Sequence, residues 1–159
     1  MSISIKLEGI GSVDQALKEL EREFGDKMAQ SKVLVPAVRE AMKPVLTAAK
    51  LNAPKDTGDL ARSLIIEARR PNKRDRRSKY ITQTDTVIAA VTTASGKKLK
   101  KMGIKSDARA IAQEFGTAKN PAQPYLRPAL ESNAQSTVNR LADILARRIT
   151  EFRAKNTKG

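Results

Sequence analysis

The apolar positions of this chain fall into alternating and helical periods that divide it into elements. Ser2–Glu8 alternates, with Ile3, Ile5 and Leu7 on one face, and predicts a half-buried strand closed by Gly9 and Gly11. Ser12 to Gln15 has the form of a capping box, and Val13, Leu17, Leu20 and Phe24 then make one stripe of a helix that Gly25 stops. A second helix is predicted from about Lys27 or Ser31 to about Asn52, with Val35, Val38, Met42, Val45, Leu46 and Ala49 facing inward. Pro36 is tolerable near its start, whereas Pro44 removes an internal hydrogen bond and predicts a kink or a division into two pieces.

Further along, Pro54 breaks the helix, Thr57-Gly58 supplies turn chemistry, and Asp59 is predicted to cap a helical turn reaching Ser63. Runs rich in aliphatic and β-branched residues at 63–70 and 85–94 predict two antiparallel strands, with the segment between them as the tip of a long hairpin or an exposed loop. Lys97–Lys105 reads as a linker flanked by Gly96 and Gly103. Ser106-Asp107 then caps a short helix carrying Ala110, Ile111, Glu114 and Phe115, ended by Gly116. The stretch Gln113–Leu130 holds Pro121, Pro124 and Pro128, three of the 7 prolines, together with Phe115 and Tyr125. Proline fixes its own φ and pushes the preceding residue toward extended geometry, so the stretch is a stiff strip whose last proline fits the first turn of a following helix. That helix, Ala129 to Lys155, is the longest and aligns Leu130, Ala134, Val138, Leu141, Leu145, Ile149 and Phe152. The resulting fold class is α+β: a small, mostly antiparallel sheet with a long hairpin, packed against two long helices and shorter ones. A single domain over residues 1–159 is expected, with a disordered tail at 155–159.

Charge changes the picture at two places. The net charge is +14, and most of it lies in the basic loops 69–79 and 97–105. The first carries Arg69, Arg70, Lys73, Arg74, Arg76, Arg77 and Lys79 against Asp75; the second carries Lys97, Lys98, Lys100, Lys101 and Lys105 with no acid. Such loops serve as solvated surface, as docking sites for an acidic protein, or as contacts to a phosphate backbone. Like-charge repulsion predicts that the hairpin tip orders only against an acidic partner. Tyr80 is the lone aromatic beside the first loop, so reading of bases is not expected.

The chain has no cysteine and no histidine, which removes disulfides, Cys/His metal sites, imidazole bases and thiol nucleophiles. Ser95-Gly96-Lys97 ends like a phosphate-binding loop, but Val91 stands where that loop needs glycine. Asp56 and Asp59 flank Gly58 as a turn and a cap more simply than as a cation site, and the other carboxylates do not converge. The expectation is a non-enzyme with no cofactor and no metal. No uncharged run approaches the roughly 20 residues that span a bilayer, and no signal segment is evident, so a cytosol-like compartment and no membrane are expected.

Two segments carry a resemblance. Ala53-Pro54-Lys55-Asp56-Thr57-Gly58-Asp59-Leu60-Ala61-Arg62-Ser63 is followed, some fifty residues on, by Glu114-Phe115-Gly116-Thr117 and then Pro121-Ala122-Gln123-Pro124-Tyr125-Leu126-Arg127-Pro128-Ala129-Leu130. In order and spacing the chain resembles the tailed-phage neck and tail-component family of head–tail joining and tail-completion proteins. The resemblance implies a structural, non-enzymatic subunit of the virion, made in the host bacterial cytoplasm. It implies a homo-oligomeric ring, a hexamer in preference to a dodecamer, stacked between connector and tail-tube proteins around the DNA channel. By the same resemblance Pro54, Thr57, Gly58 and Leu60 shape the turn after the long helix. Phe115, Gly116, Pro124, Tyr125, Leu126, Arg127 and Pro128 fix the packing of the strip against the sheet or a neighbouring subunit. The rival reading is a nucleic-acid-binding protein without sequence specificity that uses both basic loops as a phosphate clamp.

Overall fold

The computed structural model describes residues 11–104 and 109–157. The strand expected at Ser2–Glu8, the Ser106-Asp107 cap and Lys105 lie outside those residues. The elements in order are α1 (Gly11–Phe24), α2 (Asp26–Ala29), α3 (Val35–Ala41), α4 (Lys43–Asn52), α5 (Asp59–Ser63), β1 (Leu64–Arg69), β2 (Ile88–Thr93), α6 (Gly96–Lys101), α7 (Arg109–Phe115) and α8 (Leu126–Asn156). A π-helical turn, Gln30–Leu34, joins α2 to α3, and a 3-10 turn, Asp75–Arg77, lies between the strands. β1 and β2 form a two-stranded antiparallel sheet, so the fold is α+β as the sequence predicts.

The second predicted helix is divided, and the prolines explain where. Pro36 cannot donate to the carbonyl of Lys32 and its ring crowds that carbonyl, and the turn just before it widens to π geometry. Pro44 does the same to Glu40. The α3 helix ends at Ala41, Met42 adopts φ −78° and ψ −7°, and α4 restarts with Pro44 in its first turn, where no N–H is required.

The described residues separate into two compact units. The first comprises 11–42, 67–90 and 135–157. Its core is the α1 stripe of Leu17 and Leu20 together with Val33, Leu34, Ala37 and Val38, and, from α8, Leu141, Ile144, Leu145 and Ile149, all buried. The α1–α8 packing is closed by Phe24 against Phe152, ring edge to face at 5.2 Å. Polar contacts fix the register of the same helices. Glu40 on α3 takes Arg147 Nη2 at 2.8 Å through one oxygen and Arg148 Nη2 at 2.7 Å through the other. Arg39 Nη2 donates to the Ala68 carbonyl of β1 at 3.0 Å.

The second unit comprises 43–66, 91–104 and 109–134. Val45, Ala49, Leu60, Leu64, Tyr125 and Ala129 are among its buried residues, and Ala94, Leu99 and Ile104 cluster with Ile65 and Met102. Where a linker is expected at Lys97–Lys105, residues 96–101 are helix α6. Two features make that segment helical despite its lysines. Leu99 is buried, and the C-terminus closes in a Schellman motif: Ile104 N–H donates to Leu99 O at 2.9 Å and Gly103 N–H to Lys100 O at 3.1 Å, with Gly103 at φ +70°. Ile104 then packs on Leu99, the apolar contact that accompanies the motif.

Replacing Leu20, fully buried, with alanine is expected to lower the unfolding free energy by about 2–5 kcal/mol. Leu51→Ala, at a residue 67% exposed, is expected to change it by less than about 0.5 kcal/mol. Urea denaturation followed by far-ultraviolet circular dichroism measures both.

Candidate functional site

The segment from α7 into α8 is built around one carboxylate. Glu114 is 5% exposed, and its Oε2 accepts the backbone N–H groups of Tyr125 at 2.8 Å and Leu126 at 2.9 Å, while Oε1 accepts that of Arg127 at 3.0 Å. These are the first donors of α8, which has no earlier carbonyls to receive them. The next residue, Pro128, has no N–H to satisfy. One anion and one proline therefore complete the helix start, and the negative charge sits where the helix dipole favours it.

The path between the two helices is equally determined. Gly116 ends α7 at φ +75°, and a Cβ placed on it would lie 2.8 Å from the Ala122 nitrogen, so only glycine fits. The Thr117 hydroxyl accepts the Asn120 N–H at 3.0 Å, Thr117 N–H donates to Asn120 O at 2.8 Å, and Gln123 N–H donates to Gln113 O at 2.7 Å. Tyr125 is the anchor, 1% exposed, with its hydroxyl donating to Ala110 O at 3.3 Å. Residues 117–124, Pro124 included, are exposed, as is the Arg127 side chain; Leu126 is half-buried. Of the four residues named on this helix, Ala110 and Glu114 are buried. Ile111 is 70% exposed and Phe115 53%, because the strip folds back on the Glu114 side of the helix and leaves this i, i+4 pair outside.

The earlier motif is a second local solution. Ala53 and Leu60 are buried and Pro54 half-buried. Gly58 takes φ +73° as the N-cap of α5, and the Thr57 hydroxyl receives the Asp59 N–H at 3.3 Å. The capping role expected of Asp59 thus belongs to the residues before it. Asp59 stands in the first turn and pairs with Arg62 at 3.1 Å. Buried Ser63 donates to Leu60 O at 2.6 Å, so the last residue of the motif closes the turn opened by its Thr-Gly.

The first basic loop is ordered by its own side chains, contrary to the expectation that it orders only on a partner. Asp75 grips the Arg69 guanidinium with both oxygens, Nη2 to Oδ1 at 3.0 Å, and its Oδ2 also accepts the Asn72 N–H at 2.7 Å. Asn72 Oδ1 in turn accepts the N–H groups of Arg74 at 2.8 Å and Asp75 at 3.0 Å. Arg76 reaches the carbonyls of Thr82 at 2.6 Å and Asp85 at 3.3 Å. Two of the seven cations are spent inside the loop; Arg70, Lys73, Arg74, Arg77 and Lys79 point to solvent. Repulsion loses because a bidentate pair acts together with one carboxylate and one carboxamide oxygen that between them accept three nearby N–H groups. In the second unit Lys97, Lys98, Lys100 and Lys101 are exposed on α6.

Residues 13–116 match the family described as HK97-gp10-like, "Bacteriophage HK97-gp10, putative tail-component". The chain belongs to this family. As an HK97-gp10-like protein it is a structural tail component of a bacteriophage, a constituent of the virion that interacts with other virion proteins. The matched residues include the first motif and run through Glu114 to Gly116; the proline strip follows them. No curated protein and no solved structure matches the chain. Among the described residues no group of three or more acidic, histidine or cysteine residues could hold a metal, and no helix is long and apolar enough to cross a membrane.

Two outcomes test this geometry. Glu114→Ala, which leaves three N–H groups at a helix start without their acceptor, is expected to destabilise the protein by about 1–3 kcal/mol in urea, with Glu114→Gln between it and the parent. For Asp75, the Arg69 guanidinium and the Asn72 N–H lower the carboxyl pKa from 3.8 to about 2. A depressed carboxyl stabilises its loop only while ionised, so this contribution is full above about pH 4 and is lost as pH falls through about 2. The amide resonances of Asn72, Arg74 and Asp75, followed by NMR, are expected to move together through that window and to stay fixed above it.

Proposed function

We propose that this tail component closes into a ring at the junction of head and tail, as a neck, tail-completion or terminator protein joining the connector to the tail tube around the DNA channel. The observation that carries the reading is the exposed Ile111–Phe115 pair on α7, beside a strip whose backbone is held rigid from within. An ordered apolar surface of this kind offers an interface without an ordering cost on assembly. The strip residues Pro124, Tyr125, Leu126, Arg127 and Pro128 and the turn residues Pro54, Thr57, Gly58 and Leu60 are assigned to shaping that interface. Head-to-tail contacts between identical subunits close into rings, here a hexamer in preference to a dodecamer. Each contact can be weak, since ring closure multiplies them through effective concentration. The exposed lysines of α6 and the outward cations of the 69–79 loop are assigned to acidic surfaces of adjacent rings or to DNA in the channel.

Light scattering of the purified chain and imaging of the neck in intact particles test the reading. The paired substitution Ile111→Asp with Phe115→Asp is expected to leave helicity unchanged, reduce the assembled species to monomer, and abolish tail joining. Normal rings and complete particles from that variant would remove α7 from the interface. Density for the protein away from the junction would overturn the location.

A further inference from the structure

The loop from Arg69 to Asp85 uses its acids in an unusual way. Asp75 and Asp85 are its only carboxylates. Asp75 is spent on Arg69 and the Asn72 N–H, and Asp85 Oδ2 accepts the Thr82 N–H at 2.7 Å. Both are half-buried, so they shape the backbone while Arg70, Lys73, Arg74, Arg77 and Lys79 face water. Tyr80, 52% exposed, stands among them with the Lys79 ammonium 5.0 Å from its ring centre. Tyr80 is the sole exposed apolar side chain between residues 70 and 85, where Pro71 and Ile81 are half-buried.

We propose that this loop is a prefolded platform for the phosphate backbone of duplex DNA, and that Asp75 and Asn72 are its positioning residues. Surface composition selects this partner over an acidic protein. Cores of protein–protein interfaces are apolar and poor in lysine, whereas protein–DNA interfaces are polar and strongly cationic. The loop offers cations around one aromatic ring and no aliphatic core. Arginine forks fit phosphate oxygens in pairs, and no base-reading element accompanies them, so binding is independent of sequence. Because the backbone is already folded, the cations are held at fixed spacing before contact and little ordering is needed on binding. This proposal does not depend on ring formation or on location in the neck.

The consequence runs against simple charge counting. Asp75→Ala makes the protein more positive, yet it removes the carboxylate that ties the Arg69 guanidinium, itself also paired with Glu67 at 2.6 Å, to the Asn72 N–H. It is expected to weaken DNA binding about fivefold. Asn72→Ala, which changes no charge, is expected to weaken it in the same direction. Glu151→Ala, which adds the same charge at an exposed site on α8, is expected to leave binding equal or tighter. The measurement is fluorescence anisotropy of a labelled duplex of arbitrary sequence, titrated with the full chain at several salt concentrations, with helicity checked by circular dichroism. The parent is expected to bind with a steep inverse dependence on salt, and each alanine at Arg70, Lys73, Arg74, Arg77 or Lys79 to reduce the log–log slope by about one. Salt-insensitive or undetectable binding by the parent would overturn the proposal while leaving the ring reading intact. So would Asp75→Ala and Asn72→Ala variants that bind as tightly as the parent, or equal binding to polyglutamate, which would assign the loop to an acidic protein.

Discussion

A carboxylate inside the fold must find donors, and Glu114 finds three consecutive backbone N–H groups that themselves have nowhere else to turn. Each side removes the other's desolvation cost, so neither α7 nor the start of α8 is well satisfied alone. The turn at Gly116, the Thr117 loop and buried Tyr125 are arranged so that the chain returns within reach of that carboxylate. The exposed residues of the strip are thereby carried on a frame tied down by Glu114, Thr117 and the Gln113 carbonyl. Pro128 belongs to the same logic, since a residue with an N–H at that position would add a donor beyond the three that the carboxylate takes.

The 69–85 loop repeats the device at the surface with a different purpose. There the anion is matched to a guanidinium as well as to backbone N–H groups, which is how a segment rich in like charges holds a conformation. Acids placed inside a basic loop are commonly read as charge dilution. Here they act as pins, while Arg70, Lys73, Arg74, Arg77 and Lys79 face water.

Periodicity made α1, α8 and the helical span between Ser31 and Asn52 readable, β-branched runs did the same for both described strands, and Pro44 marked a real division because its missing donor acts within one turn. The resemblance carried by Ala53–Ser63 and Glu114–Thr117 pointed to the right family. What escaped was decided by partners distant in sequence. Glu114 looks like one more helical acid until Tyr125 to Arg127 is brought back to it. Glu40 meets Arg147 and Arg148 more than a hundred residues away, with nothing local to announce the pairing. Lys97–Lys105 differs for another reason: charge density suggests a linker, while the decisive signal is Leu99 and Ile104 around Gly103, a short apolar spacing that closes helix α6. The outward turn of Ile111 and Phe115 followed from the same return of the strip, since a helical stripe does not say which of two adjacent faces the chain will cover.

Glu114 recognises main-chain atoms. Apart from buried Tyr125, the glycine at 116, the Thr117 hydroxyl and the prolines, the cap makes no demand on the side chains of the segment it secures. Shape and surface chemistry are thus separable there: exposed Ala118, Lys119, Ala122 and Gln123 can be rewritten to suit a different neighbour while the backbone that presents them stays put. A structural component built this way can change its partner at the rim without renegotiating its own fold.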